Sequence, residues 1–220
     1  MVDSAKFWDR MAKRYSKMPI ADEAAYEKKL QVTRDYFLPD MEVFEFGCGT
    51  GSTAILHAPH VKHIQAIDIS SNMIEIAQSK ADTENISNIT FQCSSMDEFN
   101  ASAHSFDAVL GLNVVHLMED MDEVFVRAHK MLKPDGVFVI SIPCVGIMIP
   151  LFKIIAPLGR FLGLLPMIRD LSVGELESSL KRAAFDIDYR WEPDSKKSAF
   201  IVAKKPGCKK AGADEHLPSS

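Results

Sequence analysis

The sequence holds few cysteines. Only four occur in 220 residues, at positions 48, 93, 144 and 208, and no two have C-x-x-C spacing. Neither a zinc ribbon nor a redox dithiol is indicated, so no metal is expected. Scattered thiols in a chain of this length fit a reducing compartment, and a cytoplasmic location is expected. A chain this long buries about 70% of its unfolded surface, so it needs no disulfide or metal staple. There is no excess of positive charge: 25 Lys and Arg face 30 Asp and Glu, a net charge of -5. A phosphate-backbone binder is usually strongly basic, so no nucleic-acid partner is expected. Residues 1–14 mix Asp3, Lys6, Asp9 and Arg10 with apolar residues and contain no apolar h-region. No secretory signal is expected there. No internal repeat is visible, and 11 Gly with 11 Pro do not make a collagen-like or low-complexity chain.

What is present is an alternation of apolar patterns. Phe7, Trp8, Met11 and Tyr15, then Tyr26, Leu30, Thr33 and Phe37, recur at helical spacing. They predict amphipathic helices over 4–17 and 21–37. Short bulky apolar runs follow at 42–46, 64–69, 89–93, 106–112 and 137–142, each reading as a strand. Helices are predicted at 52–57, after Ser70-Ser71, at 120–132 and at 172–183. Lys133-Pro134-Asp135-Gly136 reads as a turn. Phe185–Tyr189 and Ser198–Lys204 read as a closing antiparallel hairpin around Pro193-Asp194. Strands alternating with helices predict a parallel α/β sheet.

The strongest chemical signal is Glu45-Phe46-Gly47-Cys48-Gly49-Thr50-Gly51, between a strand and a helix. Glycine allows a sharp turn and close approach of a ligand to the backbone. In open α/β sheets, ligands sit at the carboxyl ends of strands. Asp68 ends the next strand, where a carboxylate accepts hydrogen bonds from ribose hydroxyls. A dinucleotide site wants G-x-G-x-x-G, but here Ser52 stands at the third-glycine position and no basic residue lies in the loop.

These residues resemble the first two motifs of class I S-adenosylmethionine-dependent methyltransferases. Leu132-Lys133-Pro134-Asp135-Gly136 resembles that family's turn before strand five. The resemblance covers about 41–142 and 172–204, and is nearest the small-molecule branch that includes quinone-biosynthesis C-methyltransferases. It implies a Rossmann-like α/β fold: a seven-stranded, mostly parallel sheet with an antiparallel last strand, helices on both faces and an N-terminal helical cap. S-adenosyl-L-methionine is the implied cofactor. By resemblance, Gly47, Gly49 and Gly51 border its methionine part, with Glu45 and Cys48 among the cofactor residues. Asp68 holds the ribose, Ile69 lies against the adenine, and Met73 packs on the other face. Ser94-Ser95-Met96 stands where the family has G-D-A, so Ser95 takes the place of the aspartate that meets the adenine amino group, with Asp97 as its substitute. Tyr15 is implied to close over the cofactor.

The expected function is methyl transfer by in-line displacement to a small, apolar acceptor. Alignment and exclusion of water do most of that work. Asn113-Val114-Val115-His116 follows the fourth strand on the rim where ligands sit. His116 titrates in the useful range for a catalytic base, and Asn113 is placed to orient cofactor or acceptor. His57, His60 and His63 recur every third residue, but Pro59 interrupts any helix that would align them. An NAD-type Rossmann oxidoreductase and a non-catalytic, membrane-associated cofactor binder are the alternatives.

One stretch is unlike the rest. Residues 144–168 hold 17 apolar residues of 25, with Pro150, Pro157 and Pro166. A membrane span is disfavoured because the sheet continues on both sides of it. A lid over the acceptor, a homodimer contact and a peripheral membrane contact through Lys153 and Arg160 stay open. A single domain is expected over 1–206, with 1–40 as helical cap, 144–170 as insert and 207–220 as a disordered tail.

Overall fold

A computed structural model of the chain describes residues 2–143, 169, 171–193 and 198–207. Two helices come first, α1 (Val2–Tyr15) and α2 (Glu23–Arg34). Then β1 (Glu42–Phe46), α3 (Ser52–His57), β2 (His63–Asp68), α4 (Ser71–Thr83) and β3 (Ile89–Cys93) alternate. β4 (Phe106–Leu112), α5 (Met121–Met131) and β5 (Leu132–Pro143) continue the pattern. The chain closes with α6 (Val173–Arg182), β6 (Asp186–Trp191) and β7 (Ser198–Lys204).

The helix starts are written into the sequence. Asp22, Ser70 and Asp120 each accept a backbone N–H of the first turn of α2, α4 and α5. Ser172 and Glu175 form a reciprocal capping box on α6. Such caps satisfy donors that a helix start leaves open, and each contributes about 1 kcal/mol.

The seven strands form one sheet in the order β3-β2-β1-β4-β5-β7-β6. β3, β2, β1, β4 and β5 pair in parallel, while β7 runs antiparallel to both of its neighbours. This is the Rossmann-like sheet expected from the sequence. Alternate side chains go to opposite faces. Phe44, Phe46, Phe138 and Ile140 pack on one face with Phe125 of α5 and Leu176 of α6. Val43, Ile64, Val139 and Phe200 pack on the other with Phe37 and Ile55. Burial on both faces explains why the central strands read as unbroken apolar runs.

Some boundaries differ from the sequence reading. α1 starts earlier, and α2 ends at Arg34 although Phe37 remains buried. The first strand of the closing hairpin is shifted to Asp186–Trp191. The Lys133–Gly136 turn is a bulge within β5. Phe106 pairs with Leu132, but Ala108 pairs with Val137, so only Asp107 stands opposite the four turn residues. Asp107 anchors the bulge by accepting from Lys133 Nζ at 2.8 Å and from the Glu42 N–H at 2.8 Å. The apolar stretch 144–168, Asp194 and the tail from 208 lie outside the described residues. Among the described residues no helix is long and apolar enough to cross a membrane.

The three spaced histidines differ in their surroundings, and His60 is exposed. His63 pairs with Thr90 at 2.9 Å and approaches Glu42. His57 is fully buried against Phe37, with neither ring nitrogen hydrogen-bonded. Burial, helped by the Arg34 charge, pushes its pKa down to about 3. The unfolded chain therefore binds a proton at this histidine from about pH 6.5 downward while the folded chain does not, until about pH 3. Stability is therefore lost as the pH is lowered through that window, by up to about 1.4 kcal/mol per pH unit from this group. His57→Phe is expected to flatten the dependence between pH 6 and pH 4, read as a smaller shift of the urea midpoint than in the wild type.

Candidate functional site

The site is built where β1, β2 and β4 end. After Phe46 the chain enters the loop Gly47–Gly51, in which Gly47, Gly49 and Gly51 have φ of 64°, 54° and 74°. The Cys48 N–H donates to the Ile67 carbonyl at 3.0 Å, which holds the loop against the end of β2. The glycines serve different ends. A Cβ on Gly47 would stand 2.2 Å from Val114 Cγ2. At Gly49 the nearest neighbour of a Cβ would be Tyr15 Cε1, at 3.8 Å. Gly47 is thus required by packing, whereas Gly49 leaves open room beside its backbone.

Asp68 anchors this loop. Its Oδ2 accepts the Gly49 N–H at 2.9 Å and its Oδ1 accepts the Ser70 N–H at 2.9 Å. Burial raises its pKa, and the Ser70 and Gly49 bonds oppose the shift. Each oxygen keeps a further lone pair for a ligand hydroxyl. Ser70 in turn caps α4 at Met73 and donates to Asp9 Oδ1 at 2.6 Å, and Asn72 Nδ2 donates to the Asp9 carbonyl at 3.0 Å. These bonds dock α1 on α4. α1 then carries Trp8 and Tyr15, whose rings meet edge-on at 6.1 Å, over the glycine loop.

Together these elements enclose a cavity of about 630 Å³. Tyr15, Glu45, Gly47, Cys48, Gly49, Asp68, Ile69, Met73, Ser95, Met96 and Asn113 all line it. Glu45 is buried on β1 with its Oε2 unpartnered. Burial, with Asp68 nearby, pushes its pKa up to about 8. Burial also pushes the Cys48 thiol well above its ordinary range. Gly51 does not line the cavity; a Cβ there would meet Ala77 of α4 at 2.7 Å, so this glycine serves loop–helix packing.

Two expected residues stand differently from the sequence reading. The Ser95 hydroxyl donates to Glu98 Oε2 at 3.0 Å and accepts the Glu98 N–H at 3.2 Å, so it closes a local turn. His116 is buried with its Nδ1 unpartnered and lies outside the cavity lining, to which Asn113, Val114, Leu117 and Met118 contribute. Burial lowers its pKa to about 4, so the ring is neutral at pH 7. The reason lies at Asn113, which has φ of 56°. Asn tolerates that left-handed backbone. Its N–H donates to the Ser141 carbonyl at 2.8 Å, and its Oδ1 accepts from Ser141 Oγ at 3.2 Å. The chain turns there, and the tight turn Val115–Leu117 follows.

The sequence reading did not bring Trp8, Tyr26, Thr53, Met18 or Ile20 to this cavity, yet all line it. The Tyr26 hydroxyl and Thr53 Oγ1 are 3.1 Å apart, joining α2 to α3. Helical spacing had marked the faces of Trp8 and Tyr26, and a face carries no information about its neighbour.

Residues 43–136 match the family described as a methyltransferase domain. The chain is 28% identical over 98 residues to the uncharacterized methyltransferase YcgJ of Bacillus subtilis, covering 44% of this chain and 39% of that protein. It is 28% identical over 146 residues to a ubiquinone biosynthesis O-methyltransferase of Bradyrhizobium diazoefficiens, covering 63% and 57%. These matches thus span roughly two fifths to three fifths of the relatives' own lengths. The crystal structure of YcgJ superposes with a TM-score of 0.68 at 17% identity, covering 83% of this chain and all of that one. Phosphoethanolamine N-methyltransferase 2 of Haemonchus contortus, solved in complex with S-adenosyl-L-methionine, gives 0.67 at 18% identity, covering 82% and 53%. At such identities the structures share the fold.

The two loop glycines are expected to differ on substitution. Gly47→Ala meets both the backbone strain and Val114, and is expected to cost about 2–5 kcal/mol of stability. Gly49→Ala meets the backbone strain alone, about 1–2 kcal/mol. Urea unfolding of the two variants checks the order.

Proposed function

We propose that this chain, whose residues 43–136 match a methyltransferase domain, is a class I S-adenosylmethionine-dependent methyltransferase that transfers a methyl group from S-adenosylmethionine to a small, apolar acceptor. The observation that carries the reading is the open backbone of Gly49 bonded to Asp68 at the floor of the cavity. Three features fit the cofactor: the room beside Gly49, the free lone pairs of Asp68 and the unpartnered oxygen of Glu45. When bound, S-adenosylmethionine supplies a methyl group activated on a sulfonium.

The chain's own residues bind and align. Asp68 accepts from the ribose hydroxyls. Ile69 and Met73 pack on the adenine, with Met96 beside them and Asp97 as the polar partner in place of the Ser95 hydroxyl, which is bound to Glu98. Glu45 faces the methionine ammonium, and Gly47 and Cys48 shape the loop around it. Trp8 and Tyr15 cover the site and exclude water, which strengthens each electrostatic contact inside. Asn113 orients the reacting partners from the end of β4. His116 is a positioning residue in the turn that carries Leu117 to the wall. Met18, Ile20 and Met118 give the acceptor an apolar surface. The ubiquinone O-methyltransferase among the relatives agrees with an acceptor of that kind. The scattered spacing of the four cysteines supports a reducing, cytoplasmic location.

Asp68→Ala is expected to weaken S-adenosylhomocysteine binding at least about 100-fold by calorimetry, since a buried set of polar partners is left unpaired. Unchanged affinity would remove Asp68 from the site. Transfer of label from S-adenosylmethionine to a panel of small apolar alcohols, phenols and quinols tests the activity itself.

A further inference from the structure

Glu45 sits on β1, flanked in register by Ala66 of β2 and Leu110 of β4. It is 2% exposed, and one of its oxygens has no hydrogen-bond partner. The titratable groups that face it come from each surrounding element: Asp68 from β2, Cys48 from the loop and Tyr26 from α2. None of them is a cation. Burial holds the Cys48 thiol and the Tyr26 phenol in their neutral forms at pH 7, and Asp68 opposes a second negative charge. Among the described residues lining the cavity there are six carboxyl groups, Glu45, Asp68, Asp97, Glu119, Asp120 and Glu123, and no Lys, Arg or His. A buried carboxylate without a cation or a full set of donors takes up a proton instead of staying charged.

We propose that Glu45 is a protonated acid in the free protein and ionises when a positively charged group of a ligand enters the cavity, so that binding releases a proton. The proposal rests on the proposed function for its choice of ligand. In the step, the O–H bond of Glu45 breaks, its electron pair stays on the carboxylate, and the proton passes to buffer. The new carboxylate pairs with the ligand's ammonium. This makes Glu45 a selector of charge. With its ordinary value pushed up to about 8, each pH unit below that weakens binding of the cation about tenfold. A neutral ligand of the same shape gains nothing from the ionised form. Asp68 reads hydroxyl groups, while Glu45 reads charge.

The test uses the full chain and S-adenosylhomocysteine. Calorimetry at pH 7 is run in phosphate and in Tris, whose ionisation enthalpies differ. The wild type is expected to release about 0.9 proton per ligand, the fraction of an acid near 8 that is protonated at pH 7. Its affinity is expected to rise about tenfold from pH 6 to pH 7. Glu45→Gln keeps the shape, and is expected to bind with no such release and with a flat pH dependence. Equal enthalpies in both buffers with tight binding by the wild type would overturn the proposal and leave the function standing. No binding by the wild type would overturn the proposed function instead. If Glu45→Gln fails to fold, infrared difference spectra of the wild type decide. A protonated carboxyl band must disappear on adding S-adenosylhomocysteine, and its absence from the free protein overturns the proposal.

Discussion

The hydrogen bond from the Gly49 N–H to the Asp68 carboxylate is the joint on which the site turns. A backbone donor bonded to a charged acceptor is worth about 1.5–3 kcal/mol, more than a neutral pair. It fixes the loop after β1 against the end of β2. The other oxygen of Asp68 holds the Ser70 N–H, and Ser70 caps α4 and reaches Asp9 of α1. A short chain of polar contacts thus connects the glycine loop, two strands and two helices. Loosening any member shifts Tyr15 and Trp8 with respect to the loop they cover.

Much of this arrangement was legible in the sequence, for physical reasons. Three alternate glycines after a bulky run mark a backbone that must turn sharply, and all three have positive φ. The residue closing the next strand had to lie beside that turn in a parallel sheet, and Asp68 does. The remainder depended on information that spacing does not hold. Tyr26 lies on a helix face whose partner, Thr53, is 27 residues away. Ser95 occupies the expected place, but its hydroxyl is bound to Glu98, three residues on. His116 follows a strand end, yet the left-handed backbone at Asn113 brings Leu117 and Met118 to the cavity instead. Lys133–Gly136 carries turn chemistry, which reads the same for a bulge within a strand as for a connection before one.

The cavity is also an electrostatic object. Besides Glu45, neutral in the free protein by the proposal above, its carboxyl groups run from the buried Asp68 to the exposed Asp97, Glu119 and Glu123. Charge of one sign on the walls of a cleft raises the local concentration of ligands of the opposite sign. The acidic balance of the whole sequence therefore has a local counterpart at the site.

The strand order has a kinetic consequence. β1 pairs with β2 on one side and with β4 on the other, across some sixty residues of chain. The loop glycines and Asp68 belong to the first βαβ unit, whereas Asn113 and Val114 arrive with the second. The local unit closes with short-range contacts, and the long-range pairing of β1 with β4 comes at greater loop-closure entropy. A chain that has folded only as far as β3 holds half of a crevice and none of its far wall. The far wall of the cavity, Asn113 and Val114, is thus in place only where that long-range pairing of β1 with β4 is made.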